Sequence, residues 1–522
     1  MEEFRKKGIR LLDQGRKRLI RLVFSRTGLI TALLLLQIAM MLAGFLEFQE
    51  FLPHFMGLYI LFSVFMVLYL FNTECEPTVK LTWLVVIMLA PVAGSLFYLF
   101  TKSEVGHRLL RSRLGKLREE SRGLLVQQEE VLQALADTDP GAAAMARYVQ
   151  KQSGFPVYAG TEVTYFTLGE EKFAAMLHQL EQAQKSIYLE YYIVDEGEMW
   201  GAILEVLARK AAQGVDVRVM YDGTCEFYLL PRDYPEKLRE LGIACRAFAP
   251  VMPFVSTHYN YRDHRKILVI DGEVAFTGGV NLADEYINRR VKYGHWKDTA
   301  VMLRGDGARS FSLMFLQMWS ISDPTPDLAA GLPSLGQHRG GGFVMPYGTS
   351  PLDGQRVGER VYLDILNRAK DYVHIMTPYL ILDHELESAL CYAARRGVDV
   401  VLILPGIPDK QVPYALAKTH FKTLMEAGVE IRRYDPGFVH AKSFVCDGRE
   451  AVVGTINLDY RSLYHHFECA VWMHSVPAVA DIESDFLQTR ARCTRITEEI
   501  LAQDPPGSKI LGFLLKFLAP LL

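Results

Sequence analysis

Two stretches of the chain repeat one pattern of side chains. The first runs His264-Arg-Lys266-Ile-Leu-Val-Ile-Asp271, then six residues, then Gly278-Gly-Val-Asn281; the second runs His440-Ala-Lys442-Ser-Phe-Val-Cys-Asp447, six residues, then Gly454-Thr-Ile-Asn457. In a strand, residues two apart share a face, so each copy presents one imidazole and one ammonium on a common surface while the apolar run behind them is buried. Such a pair suits a phosphate. Lysine neutralises phosphoryl oxygens as a point charge, asparagine offers amide donors, and glycine or a small hydroxyl residue lets the backbone approach the anion. The imidazole adds a nucleophile. Asp271 and Asp447 each precede a glycine, and as Asp-Gly turns they are expected to fix turn geometry more than to touch substrate. One such histidine alone would read as a hydrogen-bonded structural residue; two copies in register favour chemistry. A metal centre fits the pattern poorly, because Lys266 and Lys442 repel a cation and the chain has neither an H-E-x-x-H stretch nor a C-x-x-C pair.

The surroundings of the two motifs are duplicated as well. Residues 186–195 (Ser-Ile-Tyr-Leu-Glu-Tyr-Tyr-Ile-Val-Asp) are echoed by 374–383 (His-Ile-Met-Thr-Pro-Tyr-Leu-Ile-Leu-Asp), and Gly214-Val-Asp-Val217 by Gly397-Val-Asp-Val400. Each echo leads through a helical pattern (199–213; 385–396) and a glycine into a β-branched strand (215–221; 398–404), the rhythm of a sheet covered by helices. The expected soluble part is therefore an α/β pseudo-dimer. Its lobes span 151–330 and 346–500, a helical linker (103–150) precedes them, and a Gly/Pro-rich break (322–345) separates them; that break holds Pro324, Pro326, Pro333 and Gly340 to Gly342.

The first 102 residues read differently. Residues 27–46, 51–71 and 81–100 carry no charge, and each run approaches the ~20 residues that cross a bilayer. Short polar connectors (47–50 and 72–80) separate them, as in a membrane hairpin, so transmembrane helices are expected; a cleaved signal peptide fits less well, since the apolar stretch is long and further runs follow. Basic clusters lie before the first run (Arg5 to Arg26) and after the third (Lys102 to Arg118), and Pro91 and Gly94 could bend the third into a re-entrant hairpin. Residues 505–522, apolar apart from Lys509 and Lys516, are too short to span and are expected to lie on the membrane as an amphipathic segment. Across 522 residues, 57 Lys+Arg against 60 Asp+Glu gives a net charge of −3, which removes the electrostatic case for nucleic acid as a partner. Seven scattered cysteines do not form a disulfide scaffold.

The doubled H-x-K-x4-D-x6-G-x-x-N motif resembles the signature of the phospholipase D superfamily. Within it, the wording of residues 260–271, 277–286, 293–299 and 457–462 is similar to the bacterial cardiolipin synthases. The likeness runs from about residue 57 to the C-terminus; the basic segment and first run depart from the short family N-terminus, and Thr455 replaces a commoner serine while keeping a hydroxyl. The resemblance implies a phosphatidyltransferase without metal or other cofactor: one histidine attacks the phosphodiester of phosphatidylglycerol, releases glycerol, and the phosphatidyl group passes to a second phosphatidylglycerol to give cardiolipin. It implies a catalytic set of His264, Lys266, Asp271, His440, Lys442 and Asp447, with His264 as nucleophile and His440 as acid and base, and with Asn281 and Asn457 holding phosphoryl oxygens. Each imidazole then needs a carboxylate to orient it, and Asp298 and Glu468, at comparable distances after their motifs, are the candidates. The expected partners are phosphatidylglycerol, other anionic phospholipids and the bilayer; the expected location is a bacterial cell membrane, crossed more than once. A phospholipase D that uses water, a transferase with another acceptor, a nuclease and a non-catalytic scaffold are the alternatives.

Overall fold

The computed structural model describes residues 52–503, apart from 74–75, 103–104, 250–260, 324–326, 330, 334–335, 337–339 and 353, together with Leu35, 507, 512 and 515–517. Two compact units divide at Arg108/Leu109. In the larger one, a seven-stranded sheet has the order Glu162–Phe166, Ala300–Arg304, Val274–Gly278, Lys266–Ile270, Ser186–Tyr191, Asp216–Asp222, Ala244–Phe248. A second sheet repeats that order as Gly340–Thr349, His466–His474, Glu450–Gly454, Ser443–Cys446, Tyr372–Met376, Asp399–Pro405, Glu430–Tyr434, with Tyr158–Gly160 and Cys493–Arg495 added at its ends. In both, the last three strands of the order are parallel and the others antiparallel. The expected duplicated α/β architecture is present.

Helices close the sheets because their apolar positions recur on one side. Helix Glu198–Ala212 buries Met199, Trp200, Ile203, Val206 and Leu207, the i, i+1, i+4, i+7, i+8 stripe that faces a core. Helices Glu129–Thr138 and Pro140–Ser153, in the stretch expected as a linker, bury Leu132, Leu135, Ala142, Ala146 and Val149 in the same core as the second sheet. Strand Gly340–Thr349 starts inside the stretch expected as the break. Gly340 is required there, since a Cβ would stand 2.2 Å from the Thr161 carbonyl oxygen.

The register of the repeat differs from the sequence echo by two residues. Asp271 accepts hydrogen bonds from the backbone N–H of Gln184, Lys185 and Ser186, and Asp447 from those of Lys370, Asp371 and Tyr372. Ser186 therefore corresponds to Tyr372 rather than to His374. Both aspartates sit at positive φ, +54° and +52°, a backbone region that Asp tolerates better than most residues. Their carboxylates tie the turn to the start of the neighbouring strand in each half. That work is structural, and by strand rise each lies roughly 16 Å along its strand from the lysine of its motif.

In the smaller unit, the second uncharged run forms helix Leu52–Phe71, whose Ile60, Leu61, Phe65, Leu68 and Phe71 side chains are exposed. The third run is not one helix. It breaks into Pro77–Leu89 and Pro91–Lys102, because Pro91 has no N–H to donate and pushes Ala90 out of the helical region, to φ −141°, ψ 72°. The two helices meet closely: a Cβ on Gly94 would stand 2.7 Å from the Val86 carbonyl oxygen, and the Trp83 ring centroid lies 5.2 Å from that of Phe97. Among the described residues no helix is long and apolar enough to cross a membrane. The third run is thus two helices rather than one of span length; the first run, apart from Leu35, and most of residues 505–522 lie outside the described residues.

Replacing Asp271 or Asp447 by Ala removes the charged acceptor of three backbone N–H donors that are only partly shielded from water. Each substitution is expected to lower the unfolding free energy by about 1–3 kcal/mol, measured by denaturant titration, and the two losses should be similar because the two turns are built alike.

Candidate functional site

Each motif histidine is carried to the carboxylate of the opposite half. Strand Arg262–Asp263 pairs in parallel with His466–Phe467, and the His264 N–H donates to the Phe467 carbonyl at 2.9 Å. Glu468, the next residue, then meets the imidazole: both carboxylate oxygens lie 2.9 Å from His264 Nδ1. The second copy mirrors this. Gly437–Val439 pairs with His295–Lys297, the His440 N–H donates to the Lys297 carbonyl at 2.7 Å, and Asp298 Oδ2 lies 2.7 Å from His440 Nδ1. A carboxylate at Nδ1 holds the proton there and leaves the Nε2 lone pair free, the tautomer an attacking or proton-accepting imidazole needs.

The groups beside these pairs set their charges. Both histidines are 7% exposed, and both carboxylates are buried. Burial pushes the imidazole of His264 well below its usual range against the pull of Glu468, with the Lys266 ammonium adding to the drop. Burial and the Lys442 charge push His440 down to about 4. Both rings are therefore neutral at neutral pH in the free protein. Glu468, although burial alone would raise it, is held far below the usual carboxylate range by His264. Burial also lowers Lys266 to about 8 and Lys442 to about 7. Each ammonium donates to the carbonyl of its own motif histidine, Lys266 at 2.6 Å and Lys442 at 2.5 Å. Lys442 Nζ also lies 3.0 Å from His440 Nδ1, and Glu468 and Asp298 are the carboxylates that pull most on Lys266 and Lys442 respectively, so a cationic donor stands behind each imidazole, a setting suited to an incoming anion.

The asparagines are placed differently. Asn281 Oδ1 accepts from the Ile193 N–H at 3.0 Å and its amide donates to the Tyr286 hydroxyl at 2.8 Å, whereas buried Asn457 keeps an Oδ1 without a partner among the described residues. The two carboxylate niches differ too. A Cβ on Gly279 would stand 2.0 Å from Asp298 Oδ1, so only glycine fits beside that carboxylate. At the matching position, Thr455 donates its hydroxyl to Glu468. The hydroxyl noted in the sequence thus serves the carboxylate that orients His264.

Asp271 and Asp447, expected within the catalytic set, stand apart from this cluster in the turns described above. Other residues join it that the motif reading did not single out. Tyr192 sets its ring edge-on to His264 at 4.9 Å, and Lys266 Nζ lies 5.2 Å from the same ring. His466 lies 5.4 Å from His264 by ring centroids, while Trp296 lies 5.6 Å from His440. Both precede their carboxylates by two positions in an extended stretch, which places them on the carboxylate's face and was a readable signal. Lys172 is fully buried, donates to the Val280 carbonyl at 3.1 Å, and is pushed by burial down to about 7; nothing in its helical context marks it. Among the described residues, the ligand atoms of His264, His466 and Glu468 are the set close enough to hold a metal ion.

Comparison with known proteins follows the same lines. The family model described as cardiolipin synthase, PLD-like domain matches twice, at residues 176–299 and 362–490, one match per lobe. A Streptococcus mutans protein named only as uncharacterized is 51% identical over 87% of this chain and 99% of its own length. The cardiolipin synthases of Alkalihalophilus pseudofirmus and Geobacillus kaustophilus are each 33% identical, over 88% of this chain and 92% of theirs. Among solved structures, phosphatidylserine synthase of Haemophilus influenzae superposes with a TM-score of 0.56 at 17% identity, covering 72% of this chain and 97% of that one, a likeness of fold. Two PLD-like lobes and relatives matched over nearly their whole length place the chain in the cardiolipin synthase family.

Proposed function

We propose that the protein transfers a phosphatidyl group between two molecules of phosphatidylglycerol, giving cardiolipin and glycerol through a phosphohistidine. The observation that carries this reading is the pair of neutral imidazoles, each held through Nδ1 by a buried carboxylate of the other half and each backed by a lysine. His264 Nε2 attacks phosphorus, and the bond to the glycerol oxygen breaks as His440 gives that oxygen a proton. A phosphodiester anion beside His440 favours its charged form, which offsets the burial that keeps it neutral in the free protein. In the second half-reaction His440 takes the proton of the incoming hydroxyl, that oxygen attacks phosphorus, and His264 is released. Lys266, Lys442 and Asn457 hold the phosphoryl oxygens. Asp298 and Glu468 act through the histidines they orient.

His264 takes the role of nucleophile because its carboxylate is the better braced, with the Thr455 hydroxyl and both of its oxygens on one imidazole. Lipid substrates and the apolar exposed face of helix Leu52–Phe71 support attachment to a bacterial cell membrane. Water in place of the second lipid would make phosphatidic acid, and another alcohol would make a different phospholipid. Lipid analysis after incubation with labelled phosphatidylglycerol decides: cardiolipin plus glycerol supports the reading, phosphatidic acid alone supports a hydrolase, and no turnover refutes both.

The two histidines should fail differently. His264→Ala is expected to abolish every partial reaction, since no phosphatidyl-enzyme forms. His440→Ala should slow each proton-transfer step by roughly a hundred- to ten-thousand-fold and let the intermediate persist, so that alkaline quenching recovers label on the peptide containing His264. Label on the His440 peptide of the His264→Ala protein would reverse the assignment. Because lysines carry the charge, activity is expected to survive EDTA; loss restored by added magnesium or zinc would refute the metal-free route. Lysines lowered to about 7 and about 8 lose their charge as pH rises through those values, whereas the phosphodiester keeps its charge. Thus kcat/KM, which reports the free enzyme, should fall above about pH 7–8 and fall further with each unit; a profile flat to strongly alkaline pH would mean the ammonium groups are not needed.

A further inference from the structure

The two halves part company at one position. Where His440 has an indole beside it, His264 has a third imidazole, that of His466. His466 is buried, its Nδ1 has no hydrogen-bond partner, and that atom lies 3.6 Å from Glu468 Oε1, beyond hydrogen-bonding reach. A buried ring nitrogen left empty in an active-site cluster calls for a reason.

The surrounding atoms supply one. Ligand atoms of His264, His466 and Glu468 all lie within 4.8 Å of one another, and all three residues are more than nine-tenths buried. Two nitrogens and a carboxylate oxygen suit zinc and its neighbours, and a four-coordinate zinc with bonds near 2.0–2.2 Å separates its ligands by about 3.4 Å. Two of the three edges are already close to that: 2.9 Å from His264 Nδ1 to Glu468 and 3.6 Å from His466 Nδ1 to Glu468. The nearest ammonium, Lys266, is turned to the His264 carbonyl at 2.6 Å. The second half has no counterpart, because Trp296 cannot ligate.

We propose that His264, His466 and Glu468 form an inhibitory site for a zinc-class divalent cation, which switches the enzyme off from within its own nucleophilic centre. The cation takes the Nδ1 lone pair of His264, and the proton that Nδ1 carried moves to Nε2. The lone pair that attacks phosphorus is then gone, with no change in the number of bound protons on the ring. Glu468 exchanges an N–H donor for a metal bond, and the fourth position is left for water. The loss of activity rests on the reading of His264 as the attacking group; the metal site itself does not.

The test uses the purified full-length protein in detergent. Cobalt(II), a spectroscopic stand-in for zinc, should give the intense visible absorption of a tetrahedral site at one ion per chain, displaced by zinc. Zinc should inhibit turnover of phosphatidylglycerol vesicles reversibly, with EDTA restoring it. His466→Phe keeps an aromatic ring and removes the ligand; it should lose the cobalt spectrum, and whatever turnover it shows in EDTA should need at least about tenfold more zinc for half-inhibition. His466→Asn should behave in the same way and guards against a folding defect in the first variant. His440→Ala, inactive, should keep the spectrum. An unchanged spectrum in both His466 variants, an octahedral spectrum in the parent, or equal zinc sensitivity of parent and variants would overturn the proposal. A normal cobalt spectrum that both His466 variants lose, with no zinc inhibition of the parent, would overturn the inhibitory role and count against His264 as nucleophile while the metal site itself remained, so the two readings fail separately.

Discussion

The whole catalytic body depends on one exchange: the carboxylate that orients each histidine comes from the other half of the chain. An ionised carboxylate with no cation or donor beside it would be costly to bury, and so would an imidazole whose N–H points at nothing. Each is acceptable only because the other is there. The parallel pairing of Arg262–Asp263 with His466–Phe467, and of Gly437–Val439 with His295–Lys297, is the backbone device that delivers them to one another. Two sheets that could in principle fold separately are thereby joined through their most expensive polar groups.

Around that exchange the protein gathers more cations than it can neutralise locally. Lys172, Lys266 and Lys442 are all buried, and in each case burial is the largest influence on the ammonium, lowering it toward neutrality. Such a cluster is unfavourable while empty and is relieved by an anion, so the energy of burying lysines is recovered when a phosphodiester arrives. The two asparagines at equal spacing are not equivalent beside it: Asn281 is committed to Ile193 and Tyr286, while among the described residues the Asn457 Oδ1 has no partner.

Much of this was readable in the chain because the chemistry is carried by spacing. Two apolar strands each headed by His-x-Lys fix a face, and the duplicated frame gives the two-lobed α/β plan. Asp298 and Glu468 were also readable as carboxylates in strand-like contexts after each motif. The exchange between halves was not, since it depends on parallel pairings that bring together residues 204 and 142 positions apart. The two-residue slip in the echo has a similar origin: hydrophobic wording matches over 186–195 and 374–383, but register is set by where Asp271 and Asp447 bind backbone. Pro91 was noted as a bend and breaks the run outright, because a proline constrains the residue before it as well as its own N–H. Lys172 was invisible, as a lysine among glutamates at the start of a helix reads as solvated surface.

The unlike niches of the two carboxylates, Gly279 against Asp298 and Thr455 against Glu468, carry a consequence for how such a chain can change. The space next to Asp298 is too small for any β-carbon, whereas Glu468 is braced by the hydroxyl of its neighbour. Neither half can therefore adopt the other's residue in one step: a hydroxyl residue at 279 collides, and a glycine at 455 strips the longer carboxylate of a donor. The duplicated lobes are locked into their differences pairwise. A chimera made by copying one lobe twice would keep each niche, because Gly279 travels with Asp298 and Thr455 with Glu468, whereas exchanging the niche residue alone would not.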